Sequence, residues 1–335
     1  MFHTRDLFGA ASTLLLLIIL LLLDKGLCLI PEQCAHNVTK PFSVCCPVSP
    51  HNHLVCGGPK RGYCEKIAVP KDYVPHVFHM DDRLSWPLRF FSHACQCKGN
   101  FFGTACEKCW YGWTGPNCDK RVKRIRRDIH SLSDHELYVL KDVLYRSQTW
   151  PSGYVVLDES DNYHSDPLYK PRFIPASVQY FITFNHRYGS RATLYKNKQD
   201  CEMYGILNYN HDGVVFPTWH RYLQLIWEGL LAEIAWKVHR VENFAAPYWD
   251  MIGLLNCDIC TNTYFGAPGR EDKDGLHISR RSIFSNFTEF CAEPRGDAKC
   301  YGCQRSGRKT TITRKFTTLK FPDQRDLDYV LSLKK

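Results

Sequence analysis

Apolar residues at helical spacing are concentrated between residues 177 and 250. In the stretch SVQYFITFNHRY, steps of three and four residues join Val178, Phe181, Ile182 and His186. In the stretch HRYLQLIWEGLLAEIAWKVHR, an apolar stripe contains Leu223, Trp227, Leu230, Ile234 and Val238. Such steps place side chains on one helix face, so the pattern predicts two helices that pack antiparallel. Pro217 predicts that the second helix begins near His220.

Weaker patterns flank this pair of helices. Ser133 and Glu136 form a capping-box pair, which predicts a helix that buries Leu137, Leu140, Val143 and Leu144. The chain turns helical again after Pro322. With 335 residues, 44% hydrophobic and 23% charged, it has the composition of an ordinary globular protein and room for two or three domains.

Three histidines, His186, His211 and His220, lie on or between the two predicted helices. Each helix can bring one imidazole to a common point, and His211 can arrive from the intervening loop. Neutral imidazoles that converge inside a helical bundle suit copper or zinc. The ordinary alternative is that a histidine on an apolar helix face is only a satisfied core residue.

The sequence around these histidines resembles the first copper site of the tyrosinase family. The resemblance rests on FPTWHRYLQLIWE, on NHD with its histidine nine residues before His220, and on APYWD downstream. It implies that His186, His211 and His220 bind one copper ion. It also implies that Asp250 supports these ligands; a plain turn carboxylate is the alternative. The implied fold is mainly α, an incomplete four-helix-bundle type 3 copper domain over residues 133–335.

The family's second copper site is not found in this sequence. After His220 only His239 and His277 follow, and neither belongs to the family's H-x-x-x-H pattern. Three functions therefore stay open. The first is a copper oxidoreductase of pigment synthesis that acts on monophenols and o-diphenols with O₂, expected to be incomplete and inactive in this chain alone. The second is a zinc-binding, tyrosinase-related isomerase. The third is a secreted, non-enzymatic binding protein.

Residues 1–28 have the pattern of a secretory signal peptide. Arg5 supplies the positive start, Leu14 to Leu23 form the apolar core, and Asp24 ends it. Ten apolar residues are too few to span a bilayer comfortably, and no later stretch is long and apolar enough. We therefore expect a protein of the secretory pathway, either secreted or in the lumen of a pigment organelle, with no membrane span after signal removal.

The seventeen cysteines agree with an oxidising compartment. Ten of them lie between residues 34 and 118, so residues 29–119 are predicted to form a small disulfide-knit module. This module resembles the EGF-like subdomain of animal tyrosinases. Zinc at the CxxC of Cys106 and Cys109 is the alternative. Later in the chain the resemblance matches Cys257 with Cys260 and Cys291 with Cys300; the remaining Cys201 and Cys303 are predicted to bridge.

The net charge of +9 is spread along the chain and is not gathered into an aromatic-interleaved patch, which argues against nucleic-acid binding. The run KRVKRIRRD begins a segment, residues 120–132, that is predicted to be a solvated basic linker. The alternative is a cleavage site, since Arg124, Arg126 and Arg127 match the R-x-R-R pattern of basic-specific proteases. Asn37 and Asn286 begin glycosylation sequons.

Overall fold

The computed structural model describes residues 30–37, 43–67, 91–157, 173–189, 216–272, 275–289, 310–314 and 320–333. This part contains four α-helices: α1 (Asp134–Ser147), α2 (Val178–Gly189), α3 (Phe216–His239) and α4 (Gln324–Ser332). Short 3-10 helices are Glu32–Asn37, Ile129–Ser131 and Ile283–Asn286. The strands are Ile30–Pro31, Ser43–Cys45, Gly62–Lys66, Phe91–Cys97, Phe101–Phe102, Lys108–Cys109, Trp113–Thr114, Lys120–Arg121, Pro151–Leu157, Phe173–Ser177, Pro268–Asp272, Gly275–Ile278, Thr288–Glu289, Thr310–Thr311 and Thr313–Arg314.

The expectation of a mainly helical fold is not confirmed. The described residues combine three packed helices with many short strands, and α1 and α2 each pack against α3. Helix α4 contributes no buried residue, so the described part does not show a four-helix bundle. The prediction of a mainly helical fold drew on helical periodicity in the sequence and on the resemblance to the tyrosinase family. Helical periodicity identifies the long helices, but strand pairs of two or three residues leave no periodic pattern.

Helix α1 begins as predicted. Ser133 is its N-cap, the Ser133 hydroxyl accepts the Glu136 N–H, and the Glu136 carboxylate accepts the Ser133 N–H at 2.8 Å. This reciprocal pair satisfies two N–H groups at the helix start, and losing such a cap costs about 1 kcal/mol. Leu137, Leu140 and Val143 are buried as expected. The predicted buried face of α1 is confirmed for these three residues.

Helix α3 is the centre of the main core and is longer than predicted. It begins at Phe216, so Pro217 lies in its first turn, where a missing N–H is tolerated. Of the predicted stripe, Ile234 is fully buried, and Trp227, Leu230 and Val238 pack partly buried against the core. Its buried positions also include residues outside the stripe, namely Glu228, Leu231, Ala232 and Ala235.

A three-stranded antiparallel sheet holds the start of helix α2. Strand Pro151–Leu157 pairs with Ile30–Pro31 on one side and with Phe173–Ser177 on the other. The last of these strands leads directly into α2, and the Val178 N–H donates to the Trp150 carbonyl at 2.8 Å. Tyr154 stacks on Phe181, with ring centroids 4.7 Å apart. The first turn of α2 is therefore tied to the sheet and directs the rest of the helix toward α3.

The cysteine-rich module (residues 29–119) is held by disulfides, which confirms the prediction over zinc. The five bonds join Cys34–Cys45, Cys46–Cys64, Cys56–Cys95, Cys97–Cys106 and Cys109–Cys118. The sulfurs of Cys46, Cys56 and Cys95 lie within 4.8 Å of one another. Since all three are oxidised to disulfides, they are not thiolate ligands. A module this small needs such bonds because its apolar core is limited.

Within the described residues, none of the helices combines the length and the apolar character that a membrane crossing requires. The predicted signal peptide, residues 1–28, lies outside the described residues. The same holds for Cys201, Cys291, Cys300 and Cys303, so their predicted bridges stay predictions. Cys257 and Cys260, which the sequence matched to each other, form a disulfide.

Candidate metal centre

The structure brings together two of the three predicted ligands. His186 lies in the third turn of α2, and His220 is the fifth residue of α3. Their ring centroids are 5.4 Å apart, and the ring planes are inclined by 67°. Trp219 contacts both rings, with centroid distances of 5.7 Å to His186 and 4.9 Å to His220. His211 lies outside the described residues, so its place as the third ligand stays a prediction.

A backbone carbonyl orients the His220 ring. The His220 Nδ1 lies 2.9 Å from the carbonyl oxygen of Phe216, one turn earlier in α3. A carbonyl only accepts hydrogen bonds, so this contact requires the proton on Nδ1 and leaves Nε2 as the candidate metal-binding atom. Metal-bound histidines commonly donate their second N–H to such a carbonyl. The Phe216 ring, 4.3 Å away by centroids, packs against the same imidazole.

The described geometry fits a shared metal ion. Imidazole nitrogens bind zinc at about 2.0–2.1 Å, and two rings on one ion then have centroids roughly 5 Å apart. The separation of 5.4 Å between His186 and His220 is close to that value. Both rings are partly buried. A nitrogen-only donor set suits copper and zinc and does not suit calcium or magnesium.

Asp250, the predicted support for the ligands, makes a turn contact. Its side chain is exposed, and Oδ1 accepts the Ile252 N–H at 3.1 Å. This is the turn carboxylate that the sequence left open as an alternative. Its backbone N–H donates to Asp128. A supporting role at the metal stays a prediction.

Glu228, eight residues after His220 on α3, has a buried carboxylate that the sequence analysis missed. Its side chain is 1% exposed. Oε2 accepts the Tyr111 hydroxyl at 2.6 Å and the Arg126 Nη2 at 2.7 Å. Oε1 accepts the Arg126 Nε at 3.2 Å and the Ala246 N–H at 2.7 Å. One carboxylate thus joins α3 to the cysteine-rich module, to the basic segment and to the loop after α3.

The pKa values around Glu228 follow from this contact set. Burial raises the pKa of Tyr111 to about 12, with a further contribution from the neighbouring Glu228 carboxylate. Burial opposes ionisation of Glu228, but hydrogen bonds from Arg126, Tyr111 and the Ala246 N–H outweigh it and lower the pKa of Glu228. The charged carboxylate and the neutral phenol are therefore the stable pair at neutral pH. The available signal was an acid between apolar residues in the stretch LIWEGLL of α3, but its partners Tyr111 and Arg126 are distant in sequence.

A second ion pair attaches the cysteine-rich module to α3. Lys108 Nζ lies 2.8 Å from Glu233 Oε2, and Lys237 Nζ lies 2.8 Å from Glu233 Oε1. Burial works against ionisation of Glu233, yet the two lysines lower its pKa. The Lys108–Glu233 ion pair and the hydrogen bond from Tyr111 to Glu228 together hold the module against the helix that carries His220.

The basic segment is not simply a solvated linker. Arg126 pairs with the buried Glu228, and the Arg124 guanidinium carbon lies 5.0 Å from the centroid of the Tyr111 ring. The backbone of the segment also pairs with the loop after α3, because the Ile129 N–H donates to the Tyr248 carbonyl at 2.9 Å. In the folded chain these contacts hold the R-x-R-R pattern against the main core. Arg124 and Arg126 are therefore held by contacts with the folded core, although the Arg126 side chain is still 38% exposed. The linker role of residues 120–132 stays a prediction.

Comparisons with known proteins agree with the family resemblance. A family model described as the common central domain of tyrosinase matches residues 176–332, which include α2, α3 and α4. The chain is 31% identical over 274 residues to a tyrosinase of Pelophylax lessonae, covering 79% of this chain and 49% of the relative. It is 33% identical over 272 residues to a human 5,6-dihydroxyindole-2-carboxylic acid oxidase, covering 78% of this chain and 49% of the relative.

A tyrosinase of Bos taurus is 30% identical over 313 residues, which are 90% of this chain and 57% of the relative. The chain spans about half the length of the curated relatives it matches. The match extends from the cysteine-rich module region through the helices that carry His186 and His220. Matched length, the family model and the paired imidazoles all lead to the same conclusion: the chain belongs to the tyrosinase family.

Proposed function

We propose that this chain is part of a copper oxidoreductase that oxidises phenolic small molecules with O₂, in which His186, His211 and His220 bind one copper ion. The names of its relatives, tyrosinase and 5,6-dihydroxyindole-2-carboxylic acid oxidase, support this class of reaction. We assign one metal site here because these three histidines match the ligand pattern of one copper ion. The activity of the whole protein, including monophenol or o-diphenol preference and a role in pigment synthesis, belongs to the same proposal.

The observation that carries the proposal is the pairing of His186 and His220 from two different helices. Their ring centroids are 5.4 Å apart although 34 residues separate them in the sequence. The Phe216 carbonyl holds the His220 ring with Nε2 as the remaining nitrogen. Copper bound at this site would supply one-electron redox chemistry toward O₂. The chain's own part is to fix the ligand geometry and to surround it with aromatic side chains.

Aromatic side chains at the site support a phenolic substrate. Trp219 and Phe216 contact the two imidazoles, and Phe216 is 45% exposed. The exposed part of the Phe216 ring, at the start of α3, offers apolar surface next to the candidate ligand His220, which suits an aromatic small molecule. Phe216→Ala should therefore weaken phenol binding more than it weakens metal binding.

Metal analysis of matched variants tests the site. The purified chain is loaded with Cu(II) or Zn(II), dialysed, and its metal content is measured by mass spectrometry together with circular dichroism. We expect about one copper ion per chain, and a loss of copper in His186→Asn and His220→Asn. His135→Asn is the control because His135 is exposed on α1. The site would be refuted if both ligand variants retained copper with their helicity intact. If the wild-type chain retained zinc and no copper, the isomerase alternative would be favoured.

The disulfides indicate that the chain folds in an oxidising compartment. We propose entry into the secretory pathway, with the signal at residues 1–28 and glycosylation at Asn37 and Asn286. Amino-terminal sequencing of the protein secreted by animal cells tests this. A mature chain that begins beyond the apolar run of residues 14–23 supports the proposal, and retention of residues 1–28 on the purified protein refutes it.

A further inference from the structure

A groove lies between helix α1 and the 3-10 turn Ile283–Asn286. Its volume is about 490 Å³, and its walls include Tyr138, Lys141, Asp142, Tyr145, Ser285 and Asn286. This volume lies within the range of about 300–1,000 Å³ that is typical of small-ligand sites.

One wall of the groove is a stripe along α1. The stripe consists of Tyr138, Lys141, Asp142 and Tyr145. Successive members are three, one and three positions apart, so they share one helix face. Tyr138 is 58% exposed and Tyr145 is 45% exposed, whereas Leu140 and Val143 on the other face are buried. The stripe therefore presents two aromatic rings to solvent with a cation and a carboxylate between them.

The wall is fixed in place by the core beneath it. Asp142 Oδ2 accepts hydrogen bonds from Arg146 Nε at 2.6 Å and from His239 Nε2 at 2.7 Å. The Tyr145 ring packs against the buried Phe287, with centroids 6.4 Å apart. The Tyr138 ring meets His239 edge to face at 5.8 Å. Rings held in this way lose little conformational entropy when a ligand packs on them.

The opposite wall carries a modification sequon. Asn286 is exposed at the end of the 3-10 turn, Phe287 is buried, and Thr288 begins a short strand. The triplet Asn-Phe-Thr is an acceptor for N-linked glycosylation. A sugar attached at Asn286 would thus be tethered at the edge of the groove.

We propose that Asn286 is glycosylated and that the first N-acetylglucosamine of this glycan packs in the groove against Tyr138 and Tyr145. A pyranose ring presents flat C–H faces, which fit an aromatic face, and a rim of hydroxyl and amide groups, which suit Lys141 and Asp142. Lys141 Nζ donates to the Thr263 carbonyl at 2.8 Å and has two further N–H groups. The tether at Asn286 raises the effective concentration of the sugar at this surface.

The modification itself is a group transfer from a lipid-linked oligosaccharide diphosphate, catalysed by the transferase of the secretory pathway. The amide nitrogen of Asn286 forms a bond to the anomeric carbon of the first sugar and loses one proton. The bond between that carbon and the donor's phosphate oxygen breaks, and the lipid diphosphate leaves. No group is oxidised or reduced.

Release of the glycan from the folded protein tests the packing. The full chain is secreted from animal cells, and an amidase that cleaves between Asn286 and the first sugar is applied without denaturant. We expect Tyr138→Ala to accelerate release roughly 2- to 10-fold, the factor that matches about 0.5–1.5 kcal/mol for one aromatic contact. Tyr138→Phe keeps the ring and should release at the wild-type rate. Tyr329→Ala, at an exposed tyrosine of α4, is the control.

Thermal unfolding provides a second measurement. Asn286→Gln removes the glycan, which is checked by mass, and should lower the Tm more in the wild-type background than in the Tyr138→Ala background. The glycan at Asn37, removed by Asn37→Gln, serves as the reference for a sugar outside the groove. Absence of a glycan on Asn286 would overturn the proposal. Equal release rates and additive Tm changes for the wild type and Tyr138→Ala would overturn the packing.

Discussion

Glu228→Ala removes the buried carboxylate that joins helix α3 to the cysteine-rich module. The substitution deletes every contact of the two carboxylate oxygens, at 2.6 Å from the Tyr111 hydroxyl, 2.7 Å from the Ala246 N–H, and 2.7 and 3.2 Å from Arg126. It leaves α3 otherwise intact, because alanine is a good helix former. The change therefore tests whether tertiary contacts at this one residue stabilise the domain that holds the histidines.

The expected destabilisation follows from the groups left behind. An unpaired donor in a buried position costs about 1–3 kcal/mol, and the Tyr111 hydroxyl and the Ala246 N–H both lose their acceptor. The Arg126 side chain is 38% exposed, so water screens its charge and the lost ion pair adds on the order of 1 kcal/mol or less. We expect the free energy of unfolding to fall by about 2–5 kcal/mol.

Glu228→Gln removes the negative charge of the side chain and keeps its size, so it separates the effect of charge from that of size. The amide keeps one acceptor oxygen but turns an NH₂ group toward Arg126 or Tyr111, so we expect a loss of about 1–3 kcal/mol. The pKa of Glu228 is lowered in the folded chain, and such a group contributes stability above its unfolded pKa and loses it as the pH falls through the folded pKa. The difference between wild type and Glu228→Gln should therefore be complete at neutral pH and should shrink below pH 4.5.

Urea unfolding of the oxidised protein, followed by tryptophan fluorescence, measures these differences. Glu242→Gln is the matched control, because Glu242 is exposed just after α3; we expect a change within about 0.5 kcal/mol. Cleavage after Arg127 by a protease specific for R-x-R-R supplies a second readout, since release of Arg126 should speed it. The reasoning is refuted if Glu228→Ala unfolds at the same urea concentration as Glu242→Gln and is cleaved no faster than wild type.

Four further predictions concern other parts of the chain. Leu231→Ala, at a fully buried position of α3, should cost about 2–5 kcal/mol by cavity formation, and a urea midpoint equal to wild type would contradict the assigned core. Ser133→Ala should cost about 0.5–2 kcal/mol through loss of the α1 cap. Arg127 and Ser133 lower the pKa of Glu136 to about 2, so the stability lost in Glu136→Gln at neutral pH should diminish as the pH falls from 4.5 toward 2; a pH-independent loss would count against this. Peptide mapping of the unreduced protein should find Cys201 linked to Cys303, and a thiol-reactive label on Cys201 would exclude that bridge.

The sequence alone was sufficient for the features that depend on local spacing. The capping pair at Ser133, the buried face of α1 and the helices that carry His186 and His220 follow from steps of three and four residues and from local hydrogen bonding. The disulfide character of the cysteine-rich module follows from cysteine density and compartment. These inferences are reliable because their physical causes act within a few residues of one another.

Only the tertiary structure decided how these elements meet. Glu228 is buried because Tyr111 and Arg126, more than a hundred residues earlier, provide its hydrogen bonds. No local pattern reveals such a pairing, since a charge is tolerated inside a core only when distant partners compensate for its lost hydration. The basic segment is docked against the core for the same reason, because Arg126 is a partner of Glu228. The short strands escaped prediction because strand pairs of two or three residues leave no periodic pattern. The 5.4 Å approach of His186 to His220 is likewise a product of packing, because the sheet before α2 and the contacts of α3 set the distance that the sequence could only suggest.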